Sequence, residues 1–151
     1  MKHFVTAFAL IVLLSSPALV ADDHLITKKS AHNVSQTLDR LVEALKQRNV
    51  AVVARVDHAA AAQRAGQALR PTEVLIFGNP KLGTPLMQAN RKIGLDLPMK
   101  VLAWEDHSGQ VWLAYTKPEH LKAQYAVSGQ DETFREMAQA LDRLTDEASK
   151  R

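Results

Sequence analysis

Between Arg70 and Asp106 the chain reads RPTEVLIFGNPKLGTPLMQANRKIGLDLPMKVLAWED, two apolar strand-like runs joined through a turn, a short helix and a second turn. This stretch constrains the fold more than any other. Pro71 disfavours helical geometry at Arg70, so the chain enters Val74 to Phe77 extended. The segment Phe77-Gly78-Asn79-Pro80-Lys81-Leu82-Gly83-Thr84-Pro85 then places polar groups just past a strand, where loops commonly carry ligand-contacting residues. Thr84 before Pro85 reads as an N-cap followed by a first helical residue that tolerates a missing N–H, which predicts a helix over Leu86 to Ile93 stopped at Gly94. Lys100 to Glu105 and Val111 to Thr116 read as strands around Asp106-His107-Ser108-Gly109-Gln110, an antiparallel hairpin whose glycine supplies a positive φ.

The flanking segments complete the pattern. Leu25 to Lys29 reads as a short strand. Asn33, with Gln36 three positions on, is a capping-box variant that opens a helix carrying Val34, Leu38, Leu41, Val42 and Leu45 as one apolar stripe. Val50, Val52, Ala54 and Val56 alternate with Ala51, Val53 and Arg55, which predicts a strand with one better-buried face. His58 to Ala65 predicts a short helix ended by Gly66, and Pro118 to Leu121 a helical turn. Phe134, Met137, Ala138, Leu141 and Leu144 form the stripe of a long terminal helix. The expected order is strand, helix, four strands, helix, with short helical inserts: a single α+β domain over residues 22–151.

Residues 1–21 read as a secretory leader, with Lys2 and His3 before an uncharged apolar run from Phe4 to Leu14 and small residues beyond. Cleavage after Ala21 is the working expectation, with Ala18 as the alternative. That apolar run is shorter than the roughly 20 residues a spanning helix needs, so the expectation is a periplasmic or secreted protein without a membrane anchor. The chain has no cysteine, so no disulfide can staple it and its stability must come from packing. The formal charge of +3 falls by one when Lys2 leaves. With Lys and Arg scattered among acids, this argues against nucleic acid as a partner.

Arg70-Pro71-Thr72-Glu73, Phe77-Gly78-Asn79-Pro80 with Gly83-Thr84-Pro85-Leu86-Met87, Asp96-Leu97-Pro98, and Val111-Trp112 followed by Tyr115 together resemble the family gathered as domain of unknown function 302. The resemblance covers nearly all of the chain beyond the leader. It implies an α+β fold in which a curved antiparallel sheet is covered by two longer helices, with the topology of one half of TATA-binding protein, and it implies homodimers. It brings no established activity, and the topology does not import DNA binding, because function belongs to sites rather than folds.

Candidate site residues are Phe77, Gly78, Asn79, Lys81, Gly83, Thr84 and Met87, with His58 at a strand end as the candidate histidine. Gly78 and Gly83 are spaced as in a phosphate loop, but Lys81 lies inside the loop instead of after the second glycine, and Pro80 removes a donor, which excludes a nucleotide triphosphatase. A milder expectation is that the N–H groups opening a helix at Pro85, the Thr84 hydroxyl and Lys81 hold a carboxylate or phosphate. The ordinary alternative is turn and cap chemistry. Trp104, Trp112 and Tyr115, with Phe77 and Met87, either line an apolar pocket or fill the core.

The five histidines beyond the leader are His24, His32, His58, His107 and His120, and no two have the spacing that places imidazoles on one helical face. His24 beside Asp22 and Asp23 is the one local chelating group, the basis of a metal-binding alternative. Gly-x-Ser-x-Gly and His-Glu-x-x-His are absent. The expected function is a non-catalytic domain that binds a small ligand or a protein partner, with no cofactor specified. The enzymatic alternative pairs His58 with Glu73 or Glu105.

Overall fold

The computed structural model describes residues 24–151, so the expected leader lies outside the described residues. The elements run β1 (Leu25–Ser30), α1 (Val34–Gln47), β2 (Ala51–Asp57), α2 (His58–Arg64), β3 (Thr72–Gly78), α3 (Pro80–Ala89), a 3-10 turn (Arg91–Leu95), β4 (Met99–Glu105), β5 (Val111–Thr116), α4 (Pro118–Gln124) and α5 (Asp131–Ser149). The strands form one antiparallel sheet in the order β1-β5-β4-β3-β2. Strands β1 and β2 therefore sit at opposite edges although only α1 separates them in sequence. Its 14 residues make the crossing possible: at 1.5 Å per residue they span about 21 Å, close to the width of five strands spaced about 4.8 Å apart. This is the α+β architecture that the sequence predicts.

Strand register sorts the side chains. Leu75 pairs with Val101 and Ala103 with Leu113, and all four are buried on the face covered by the helices. Onto that face α1 lays Leu38, Leu41 and Leu45, and α5 lays Phe134, Met137, Leu141 and Leu144, the two predicted stripes. Burying one such leucine contributes roughly 1.5–3 kcal/mol. The opposite face carries Val74, Ile76, Leu102, Trp104 and Trp112, each partly exposed, with Trp104 paired to Trp112 across β4 and β5.

Polar ties hold the layers in register. From β1, Lys28 Nζ donates to the carboxylates of Asp142 and Asp146 on α5, each at 2.6 Å. The buried hydroxyls of Ser30 and Thr37 lie 2.6 Å apart and bind β1 to α1. In the hairpin loop, Asp106 accepts from the Ser108 N–H and hydroxyl, from the Gln110 N–H and from Trp112 Nε1. These bonds, the Ser108 and Trp112 side chains first, hold the Asp106 carboxyl far below the usual carboxylate range. Gly109, at φ +82°, supplies the left-handed residue of that loop.

Two local expectations are corrected. The strand Val50 to Val56 was expected to alternate regularly, but a bulge between Val52 and Ala54 breaks the alternation, placing Val52 on the helix face and Ala54 and Val56 on the other. At the sheet edge β2 buries none of its residues. The helix predicted from Thr84 instead begins at Pro80: Asn79 caps it by accepting the Lys81 N–H, Pro80 takes the first helical position, and Pro85 sits inside. Asn79 competes successfully because it precedes a proline of its own, so the cap-then-proline signature occurs twice and the earlier one starts the helix. The helix stops at Ala89 and not at Gly94, because Asn90 turns extended and caps the following 3-10 turn.

Candidate functional site

Where β3 runs into α3, the molecule holds a cavity of about 510 Å³. Its walls come from four places: Val50, Ala51 and Val53 at the start of β2; Phe77 and Gly78 at the end of β3; Leu82, Gly83, Thr84 and Met87 on α3; and Leu97, Pro98 and Met99 leading into β4. The floor is α5, which contributes Glu136, Met137, Ala140, Leu141 and Leu144. Its volume lies within the range of about 300–1,000 Å³ typical of small-molecule sites. The lining is aliphatic and thioether-rich, with Met87, Met99 and Met137 as flexible members and Phe77 as the aromatic one.

Close approach between the Gly78 backbone and Pro98 shapes one wall. A Cβ built on Gly78 would stand 3.0 Å from Pro98 Cβ, so this position needs glycine for space. The Leu97-Pro98 peptide bond is cis. Gly83 is less crowded, since a Cβ there would lie 3.9 Å from Leu97 Cδ1 and 4.0 Å from Met87 Cε.

Among the lining residues two are charged. Arg48 follows α1 and anchors its guanidinium by donating to Ala44 O at 2.9 Å and to Glu147 Oε2 at 2.8 Å. Glu136 lies at the other end of the floor, exposed.

The cavity gathers six of the sequence candidates: Phe77, Gly78, Asn79, Gly83, Thr84 and Met87. It excludes Lys81, which is exposed on α3, and His58. His58 begins α2 after Asp57, which caps it by accepting the Ala60 N–H and pairs with Glu73 across the sheet. Gly78 pairs with Ala51 at the other end of the same ladder. Five residue steps along β3, about 17 Å, separate those ends, so nearness in sequence does not become nearness in space.

The helix opens five residues before the expected Pro85 start, and the N–H groups at its actual beginning are engaged. Pro80 has no N–H, Lys81 N donates to the Asn79 side chain, and Leu82 N and Gly83 N both donate to Asn79 O. With the helix starting at Pro80, the residues around Pro85 are interior and present no helix N-terminus.

The proposed acid–base groups are likewise engaged. Glu73 accepts from Arg55 Nε at 2.6 Å, and Glu105 from Arg70 Nη1 at 3.2 Å. Burial works against the charge of Arg55, but its bonds to Glu73 and Asp39 outweigh that and raise its pKa. His58 has no hydrogen bond to either glutamate.

Of the aromatic residues, Phe77 lines the cavity, Tyr115 is buried in the core, and Trp104 and Trp112 belong to the far face of the sheet. The rings of His24 and His120 approach to 5.2 Å, but Asp22 and Asp23 lie outside the described residues. Among the described residues no group of three or more His, Cys, Asp or Glu side chains is placed to hold a metal ion, and no helix is long and apolar enough to cross a membrane. Sequence reading missed Arg48 and the Leu97-Pro98 wall, and it assigned Met137, Leu141 and Leu144 to the core alone. The proline after Asp96-Leu97 was the available signal.

Residues 26–144 match the family model described as domain of unknown function DUF302. Over 110 residues the chain is 47% identical to a protein of Brucella suis biovar 1 (strain 1330) named Fluoride-specific ion channel FluC 1, and equally to one so named from Brucella abortus biovar 1 (strain 9-941). The match takes in 73% of this chain but 43% and 41% of those relatives, so the chain spans less than half of their length. It is also similar in structure to the crystal structure of an uncharacterized conserved protein DUF302 from Bacillus stearothermophilus, with a TM-score of 0.75 at 21% identity, covering 83% of this chain and 98% of that one. That likeness shows a shared fold.

Proposed function

We propose, from the premise that this chain belongs to the DUF302 family, that it is an exported, non-catalytic domain which takes up a small apolar molecule between β3, α3 and α5. One observation carries the reading: the cavity of about 510 Å³ assembled from Phe77, Gly78, Gly83 and Met87 together with the α5 floor. Such a site binds by excluding water from apolar surface and supplies no paired acid and base. The test is thermal unfolding against a panel of apolar small molecules. A binder raises the melting temperature by mass action, and Ala140→Leu, which places extra atoms on the floor, abolishes the shift while the variant stays folded. A shift that survives Ala140→Leu places binding elsewhere.

Homodimerisation, expected from the resemblance, is part of the same proposal. The sheet face carrying Ile76, Leu102, Trp104 and Trp112 is largely apolar, with Lys29 and Lys100 also on it, and can meet a second copy of itself about a twofold axis. Sedimentation of Trp104→Glu as a monomer, beside a dimeric parent, supports that surface.

The Brucella relatives favour a second reading, in which this domain acts beside a membrane channel. Those proteins are named fluoride channels and contain more than half their length beyond the matched region. Co-purification of the chain with a channel subunit from a membrane extract tests it, and consistent recovery without one counts against it.

A further inference from the structure

The cavity's shape and its two charged residues narrow the ligand class. Its floor follows one face of α5 from Glu136 to Leu144, eight residue steps, or about 12 Å at 1.5 Å per step. A trough of that length suits an extended molecule better than a compact one. Its interior offers little to a polar body: the Asn79 side-chain oxygen is taken by the Lys81 N–H, and Thr84 is exposed. Phe77 gives one ring for stacking, whereas three methionines give adaptable aliphatic contact.

The charged residues stand at opposite ends. Glu147, which holds Arg48, lies 11 residues beyond Glu136, about 16 Å along the helix axis. Arg48 uses two of its five N–H donors, on Ala44 O and Glu147 Oε2, which fixes the guanidinium and leaves three donors. Its partner is replaceable, because the Arg48–Glu147 pair is about half exposed, at 45% and 43%, and an exposed pair is weak.

Resting on the cavity-binding reading above, we infer that the ligand is an anionic amphiphile: an unbranched aliphatic chain laid along α5, with its carboxylate on Arg48. The carboxylate shares or displaces Glu147, and the chain passes Leu144, Leu141 and Met137 toward Glu136, whose own carboxylate turns to water. A guanidinium fork suits a carboxylate through two parallel hydrogen bonds. Glu136 disfavours a second anionic end, so a monocarboxylate fits better than a dicarboxylate.

The experiment is calorimetric titration of the full chain with dodecanoate, dodecylamine and dodecanol below their micelle concentrations, with Nile red as an apolar reporter. Dodecanoate is expected to bind best, and dodecanol about tenfold more weakly for want of the charge-assisted bonds. Arg48→Gln weakens dodecanoate by about tenfold and leaves dodecanol unchanged. Glu147→Gln, which removes the competing carboxylate, strengthens dodecanoate by a factor of about two to five.

Dodecylamine binding as well as dodecanoate, or a weaker dodecanoate complex with Glu147→Gln, overturns the assignment. If Nile red binds and no dodecyl compound does, the aliphatic inference falls while the cavity reading stands. If Nile red also fails to bind, the cavity reading falls with it.

Discussion

The sheet is packed against α1 and α5 along most of its length, but at the β2–α3 end the packing is different in kind. On the packed side, Leu38, Leu41, Leu45, Leu75, Val101 and Leu113 are fully enclosed, and polar ties such as Lys28 to Asp142 and Asp146 join sheet to helix. At the other end, α3 buries Leu86 alone and β2 buries nothing, and methionines border open volume. A filled interior gains stability from every methylene and resists any change of shape. The β2–α3 end forgoes some of that gain and leaves open volume.

The largest effect is expected from Leu41→Ala on α1. That residue is 0% exposed, so its loss costs about 2–5 kcal/mol in denaturant unfolding, partly as an unfilled cavity. A cost below about 1 kcal/mol, small for a core truncation, means that the packed side is not the stabilising one and breaks the contrast. Next comes Gly78→Ala, where the new methyl meets Pro98 and the wall must shift, at about 1–3 kcal/mol by the same measurement. This variant also weakens ligand-dependent stabilisation, whereas Leu41→Ala leaves it in place. Similar losses of ligand response in both variants dissolve the distinction between the two regions.

Acid separates them in another way. The bonds from Lys150 and then Lys28 hold the Asp146 carboxyl below its ordinary value of 3.8, and the loop around Asp106 holds that group lower still. Both carboxylates therefore contribute stability above the ordinary carboxylate value, and that contribution is lost as pH falls through their depressed folded values. Hydrogen exchange between pH 5 and pH 2 is expected to loosen the β1–α5 contact and the β4–β5 hairpin before α3. The reverse order counts against electrostatic ties as the distinguishing feature of the packed side. The smallest effect is a gain: Gly83→Ala lies within α3 with room for its methyl, and adds about 0.5–1 kcal/mol.

Elements built on a single dominant signal were legible in the sequence. The stripes of α1 and α5 repeat at helical spacing over several turns, and the hairpin alternates around a glycine, so each declares its own face. Where two local signals compete, sequence reading falters. Asn79-Pro80 and Thr84-Pro85 are both cap-and-proline pairs five residues apart, and the structure starts the helix at the first. The regular alternation of Val50 to Val56 concealed a bulge, because a bulge depends on the partner strand's register and not on the bulged strand alone. Six of the eight candidate residues meet at the cavity because they lie within the single stretch from Phe77 to Met87. Arg48, Leu97 and the α5 floor come from distant parts of the chain, and His58 lies away from the cavity by about the length of β3.

By itself the sequence determined the α+β class, the order of elements and the buried face of each long helix, since these follow from periodicity and capping within a few turns of chain. Tertiary structure decided which end of the sheet stays open, where α3 begins and which charges flank the cavity. Those outcomes depend on surfaces that meet only after α1 has crossed the sheet and α5 has closed over it, and no local spacing encodes the distance between them.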